Sequence, residues 1–441
     1  MSESSQRRVV ITGLGLVSPL GSSREALWEA LRTGRSGVGP LESLPAGPLP
    51  IRHAAEARQF TGKIDDFGPL EKDQKRSIRK GLKVMCREIQ MGVAAAQLAL
   101  HDAGLKLGDY DSDRTGAIYG SDYILTDPEE FTEGIRRCLT PDHRFDFSRW
   151  AAEGMPQVTP LWLLKYLPNM PASHIAIYND LRGPNNSITL REASSNLAVA
   201  EAYCTIVRGS ADIMLAGATG TRLHPLRTVH VALQEELAKG DGSPEKLSRP
   251  FDRDRTGMVI GEGAGAVVLE ELEAATRRGA KIWAEVVGFG SSAVMDRSGK
   301  GEIARALENV MRQALAKAAA RPDDVGHVHA HGLSTRECDR QEAAAIAAVF
   351  GDRAEPVPVT AAKSYMGNIG AAGGVVELVA SVMALEAGEL FPIMNYETPD
   401  PECPVSAVRS IGFPAGESCL NVSVTPQGQA SAVLVRRFAG S

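Results

Sequence analysis

A chain of 441 residues with a net charge of −6 is long enough for two sizeable cores, and its acidic balance argues against nucleic acid as a partner. Hydrophobic residues at 43% with 44 glycines suit an α/β protein with many tight turns, and aromatics supply only 5%. No apolar run reads as long enough to span a membrane, Met1 to Arg8 is too polar for a signal peptide, and six cysteines without a Cys-x-x-Cys spacing read as reduced thiols, so a soluble, cytoplasmic protein is expected.

The first predicted element is a β-branched strand, Val9-Val10-Ile11-Thr12, running into Gly13-Leu14-Gly15. It lacks the third glycine of a dinucleotide fingerprint. Arg32 and Arg35 stand where an acid would hold a ribose, so no cofactor is expected. A helical stretch follows with Lys75, Arg76, Arg79, Lys80, Lys83 and Arg87; Arg79, Lys83 and Arg87 fall at i, i+4 spacing on one basic face. The segment from Asp122 to Met170 is the least regular.

Gly183 to Ser195 then reads as a tight turn, a short strand and a small-residue turn opening a helix that ends at Arg208-Gly209. The turn carries Glu192, on the positive end of the helix macrodipole. Unpaired N–H groups there favour the charged carboxylate, and burial opposes it. Capping, filling a polar cavity and general-base chemistry all remain open for this side chain.

Asp212 to Ala218 reads as a buried strand and Glu270 to Lys281 as a charged helix and linker. Ala284-Glu285-Val286-Val287-Gly288-Phe289-Gly290 then echoes the opening strand. Strands alternating with helices imply a mostly parallel sheet covered on both faces. Val325 to Ala330 forms a short predicted strand, with His331 opening the turn at Gly332. His327, His329 and His331 alternate onto one face, which suggests zinc. Same-face neighbours roughly 7 Å apart cannot all reach one ion, so no metal is expected and His327 and His329 read as strand packing.

Several motifs resemble the β-ketoacyl-acyl-carrier-protein synthases, the condensing enzymes of fatty-acid and polyketide assembly. They are Arg8 to Gly21 (read as an opening strand and glycine turn), Asp212 to Ala218, and Arg249-Pro250-Phe251-Asp252-Arg253-Asp254-Arg255-Thr256-Gly257 with Gly261-Glu262-Gly263-Ala264-Gly265. His331-Gly332-Leu333-Ser334-Thr335, Asp339, Lys363-Ser364 to Gly367 and Gly370-Ala371-Ala372-Gly373 complete the set. The resemblance covers nearly the whole chain. It implies the thiolase fold, two similar βαβαβ halves in a five-layered α-β-α-β-α arrangement, usually dimeric. Residues 1–270 would carry the elbow and a capping insertion, and residues 271–441 His331 and Asn368.

In that family the elbow residue is a cysteine; here it is Glu192. Cys204 lies twelve residues along the same helix, too far to replace it, and Cys338 reads as a structural thiol. The resemblance makes His331 a thioester-oxygen donor in malonyl decarboxylation. The second family histidine is replaced by Asn368, an amide that still donates. The resemblance sets Lys363 beside Glu192, His331 and Asn368 as a candidate catalytic residue, with Asp339 and Glu377 in a supporting polar network beneath the histidines, and a structural ion-pair role is the alternative for Lys363, Glu377 and Asp339. The family's Gly-Phe-Gly-Gly gate and its following Thr-Asn, aligned on Asn421, fall on Asn421 to Gln429, where the gate phenylalanine is absent and Pro426 changes the backbone options.

The expected partners are acyl carrier protein or an acyl thioester, and a homodimer or a heterodimer with a competent ketosynthase. The basic stripe would dock the carrier or its phosphopantetheine phosphate, the alternative being a solvated helix face. Three functions stay open: a non-condensing subunit like the chain-length factors, which also lack the elbow cysteine; a malonyl-thioester decarboxylase or other acyl-thioester enzyme using Glu192, His331 and Asn368; and a condensing acyltransferase with a relocated nucleophile.

Overall fold

The computed structural model describes residues 7–44, 51–240 and 242–439. Residues 1–6, on which the signal-peptide reading largely rests, lie outside them. The main sheet has eleven strands: β1 Val9–Val17, β2 Thr115–Ser121, β3 Asn185–Thr189, β4 Ile213–Thr221, β5 Glu262–Glu271, β6 Ala284–Ala293, β7 His327–His329, β8 Pro358–Thr360, β9 Ser406–Ala407, β10 Ser418–Val424 and β11 Gln429–Arg437. Their order is β9-β8-β7-β10-β11-β6-β1-β5-β4-β2-β3.

The order contains one pattern twice. In the first half β1 pairs antiparallel with β5, β5 antiparallel with β4, and β4, β2 and β3 run parallel. In the second half β6, β11, β10, β7 and β8 repeat those relationships in turn. A short antiparallel pairing of Val9, Val10 and Ile11 with Val286, Glu285 and Ala284 joins the halves. The expected mostly parallel sheet is therefore mixed, because two long antiparallel strands in each half return the chain to the seam.

Seven helices matter for the site: α1 Lys72–Gly81, α2 Arg87–Asp102, α3 Ser194–Val207, α4 Pro225–Gln234, α5 Ile303–Lys317, α6 Arg336–Phe350 and α7 Gly373–Ala387. Helix α2 packs on β1, β5 and β4, and α5 packs on β6, β11 and β10. Between the halves lie α3, against β4 and β11, and α7, against β5 and β10. Outer helix, sheet half, inner helices, sheet half and outer helix make the five layers of the thiolase fold. The inner layer is nearly dry: Val199, Ala202, Val375, Val376 and Val379 are all buried there.

Three sequence expectations change. The glycines at 13 and 15 stay inside β1, and the turn comes later, at Ser18–Gly21. Glu270 belongs to β5, so only Leu272–Arg277 of the charged linker is helical. Residues Gly370–Ala387 are long and apolar enough to cross a membrane, contrary to the sequence reading, but 83% of that stretch is buried between the sheet halves.

Candidate active site

Glu192 sits where β3 gives way to α3. The break is made locally: Arg191 has φ +50°, a left-handed conformation unusual for a residue with a side chain, and Arg191–Ala193 forms a single tight turn before Ser194 starts the helix. Ser194 Oγ accepts the Leu190 N–H at 2.8 Å and donates to the Ser121 carbonyl at 3.0 Å. Ser431 Oγ donates to the Ala193 carbonyl at 2.9 Å. The turn is thus tied to β2 and β11 and points Glu192 into the interior, where it is 2% exposed.

The helix N-terminus does not hold this carboxylate. Among the described residues its partners are side chains: Arg222 donates to Oε1, Asn368 Nδ2 donates to the same oxygen at 3.1 Å, and Arg191 Nε lies 3.4 Å from Oε2. Burial pushes the carboxyl up, but Arg222 and Arg191, helped by the hydrogen bond from the Asn368 amide, outweigh it and hold the group well below the usual carboxylate range. Glu192 is therefore a weak base, and the helix-capping reading is replaced by ion pairing.

Arg222 follows the end of β4 and is 1% exposed. Its guanidinium lies 3.8 Å from both Asp122 and Glu235. Glu235, just past α4, accepts from Arg191 at 2.5 Å, closing a loop of charges around the elbow.

On the facing side, His331 follows β7. Burial, reinforced by Lys363, pushes its imidazole well below the usual histidine value, against the pull of Glu192, so the ring is neutral. Lys363 Nζ is 3.3 Å from Nδ1 and also pairs with Glu377. An ammonium only donates, so Nδ1 accepts and the ring proton sits on Nε2. Glu342 of α6 takes the His331 and Gly332 N–H groups at 2.6 and 2.8 Å, fixing the turn.

Asn368 is pinned at both ends: Oδ1 accepts the Gly370 N–H at 3.0 Å while Nδ2 serves Glu192 and, at 3.5 Å, Met258 Sδ. The geometry thus brings Glu192, His331, Asn368, Lys363 and Glu377 together. Asp339 stands apart from the Lys363–Glu377 pair. It accepts the Leu333, Ser334 and Phe251 N–H groups, with Arg255 Nε at 3.6 Å, and shapes the backbone beyond His331.

His327 and His329 face one way and share Ser381 Oγ, at 3.2 and 2.8 Å. His331 turns instead to Lys363. Among the described residues no group of three His, Cys, Asp or Glu could hold a metal ion. Beside the elbow a cleft of about 330 Å³ is lined by Glu235, Leu333, Cys338, Val424 and Pro426, among others. Pro426 and Gln427 form the tip of the tight β10–β11 turn, and Gln427 accepts from Arg191 at 3.4 Å.

The basic stripe is not one helix face. Helix α1 ends at Gly81 and Met85 is extended, so the i, i+4 register is lost before Arg87. Arg87 turns inward onto Glu262 and the Phe60 and Ala57 carbonyls. Lys75 pairs with Asp65 at 2.6 Å, leaving Arg76, Arg79, Lys80 and Lys83 exposed. Sequence reasoning missed Arg222, Glu235 and Glu342. The one available signal was a charged residue directly after the small and apolar strand Ile213–Thr221.

Residues 6–275 match the family described as "Beta-ketoacyl synthase, N-terminal domain" and residues 283–397 its C-terminal domain. The chain belongs to the β-ketoacyl synthase family. It is 35% identical over 404 residues to 3-oxoacyl-[acyl-carrier-protein] synthase 2 of Coxiella burnetii, covering 91% of this chain and 92% of that one. Identity to the Synechocystis protein of the same name is 31%, with 92% of each covered. Among solved structures, a β-ketoacyl synthase from Burkholderia phymatum superposes with a TM-score of 0.83 at 29% identity, covering 98% of this chain and 100% of that one. The ishigamide ketosynthase/chain length factor superposes at 0.82 and 27%, covering 99% and 100%.

Proposed function

We propose that this protein works in fatty-acid or polyketide biosynthesis as a non-condensing, chain-length-factor-like subunit, pairing with a competent ketosynthase. Glu192 then occupies the seat of the family's acyl-accepting cysteine. The observation that carries this reading is the state of that side chain: a buried, ionised carboxylate clamped by Arg222, Arg191 and Asn368. Such a group is neither a thioester-forming nucleophile nor a ready base. The Asn368 amide, which would otherwise support a thioester carbonyl, is already committed to Glu192.

Two surfaces support pairing. Strand β3 is the last strand of the sheet, with no strand on its outer edge among the described residues, and α4 exposes Leu226, Val229 and Leu233, the last at 80%. We read the chain as two thiolase-like halves, 1–270 with the elbow and 271–441 with His331 and Asn368. Acyl carrier protein would approach Arg76, Arg79, Lys80 and Lys83, its arm entering the cleft at Leu333 and Pro426. The expected compartment is cytoplasmic.

A second reading, malonyl-thioester decarboxylation, is favoured by His331, whose neutral ring offers Nε2–H to a developing enolate. The fixed charge of Glu192 beside that enolate disfavours it. Purified protein incubated with malonyl- and acyl-carrier protein, followed by mass spectrometry and a carbon dioxide assay, separates the two. The subunit reading expects no acyl adduct, no carbon dioxide and co-purification with a ketosynthase. Carbon dioxide release abolished by His331→Ala would establish the second, and an adduct on any cysteine would establish a relocated nucleophile.

A further inference from the structure

The surroundings of Glu192 are charged in depth, beyond its immediate partners. Arg222 contacts Glu192 and lies 3.8 Å from Asp122; Asp122 in turn lies 3.8 Å from Arg227. All four side chains are buried. Arg227 stacks its guanidinium on the Tyr123 ring at 4.5 Å. These groups are not fully tied up by one another. Arg222 Nε, Arg227 Nε and Nη2, and Asp122 Oδ2 are buried without a hydrogen-bond partner among the described residues. A hydrocarbon chain laid along this string would cover unpaired donors and charges with methylene groups, which offer no hydrogen bonds in return.

We infer that Arg222, Asp122 and Arg227 form a charged plug that excludes an acyl chain from the interior behind Glu192, so that specificity against acyl loading is set separately from the nucleophile. This inference rests on the subunit reading above and adds that the growing chain finds no apolar path into this subunit. Acylation is blocked twice, and restoring a thiol alone does not restore it.

The test uses the full-length chain with Glu192→Cys, alone and combined with Arg222→Ala. In an acylated variant the introduced cysteine gives up its thiol proton and its sulfur attacks the octanoyl carbonyl carbon; a new carbon–sulfur bond forms as the carbon–sulfur bond to the carrier breaks, and the departing carrier thiolate takes up a proton. The expected result, read at residue 192 by peptide mass mapping because six native thiols are also present, is that the introduced cysteine of the single variant is alkylated by iodoacetamide but gains no octanoyl group, whereas that of the double variant gains one, with at least a tenfold difference in rate. Octanoylation of the single variant as fast as the double overturns the plug, as does a folded double variant that stays unloaded. If Arg222→Ala fails to fold, Arg222→Met, which keeps volume and removes charge, takes its place under the same criteria. Pairing of the unmodified protein with a ketosynthase is read independently by co-purification, so failure of the plug and failure of the subunit reading give different results.

Discussion

Gly15 and Gly290 do the same work in the two halves of the molecule. Gly15 lets β1 lie against the α2 backbone at Ala95 and Ala99, and Gly290 lets β6 lie against the α5 backbone at Val310. A Cβ at either position would strike a helix carbonyl, which cannot move aside as a flexible side chain could. Gly15→Ala and Gly290→Ala are each expected to cost about 1–3 kcal/mol from overpacking. The two sites share no partner, so the double variant should cost nearly the sum. Urea unfolding midpoints check both; a neutral single variant would mean that helix and strand separate at no cost.

The same glycines mark what the sequence made legible. The echo between Val9–Gly15 and Ala284–Gly290 was visible as pattern, and it does mark the matching strands β1 and β6. Its glycines read as a turn because a missing Cβ signals chain reversal and close approach alike. Glu192, His331, Asn368, Lys363 and Glu377 were singled out by the family resemblance of the motifs that carry them, and the fold brings the five together. Arg222 was not, since its role depends on β4 ending beside the elbow, a tertiary fact without local periodicity. Arg87 was misread with its neighbours because i, i+4 spacing assumes an unbroken helix, and the extended backbone at Met85 breaks it.

The pairing of Arg222 with Glu192 has a stability consequence. Both side chains are out of water, so removing Arg222 leaves the buried carboxylate with only Arg191, at 3.4 Å, and the Asn368 amide. Arg222→Met is expected to destabilise the fold by about 3–5 kcal/mol. Adding Glu192→Gln removes the orphaned charge and should recover most of that loss. Thermal unfolding of the two single variants and the double reads the coupling directly; strict additivity would mean that the two groups do not interact.

Glu88, buried near Arg227, carries a pH signature. Burial pushes its carboxyl up to about 8, the nearby Arg227 only partly opposing. Its folded value therefore lies above the ordinary carboxylate value. Between about pH 4.5 and 8 the unfolded chain has released this proton while the native protein still holds it. The stability it contributes is complete below that window and is lost as pH rises through it, with a slope of about 1.4 kcal/mol per pH unit. Glu88→Gln cannot titrate. The difference in unfolding free energy between wild type and variant should thus move steadily against the wild type from pH 5 to 8. A difference that stays flat would show that Glu88 is ionised in the native protein.

Charge reversal separates the two roles within the former basic stripe. Lys80 and Lys83 are exposed, and neither has a salt-bridge partner among the described residues, so changing them should leave the fold intact. Lys80→Glu with Lys83→Glu is expected to weaken binding of an acidic carrier protein at least tenfold at low salt, with the difference shrinking as ionic strength rises and screens the pair. Arg87→Ala should behave in the opposite way. It leaves the Glu262 carboxylate, 2% exposed, without its bidentate partner, and its cost should appear in the melting temperature. Titrations at two salt concentrations beside melting curves distinguish the sites. If the lysine double variant binds the carrier as wild type does, docking must use another face, and this patch is a solvated helix surface.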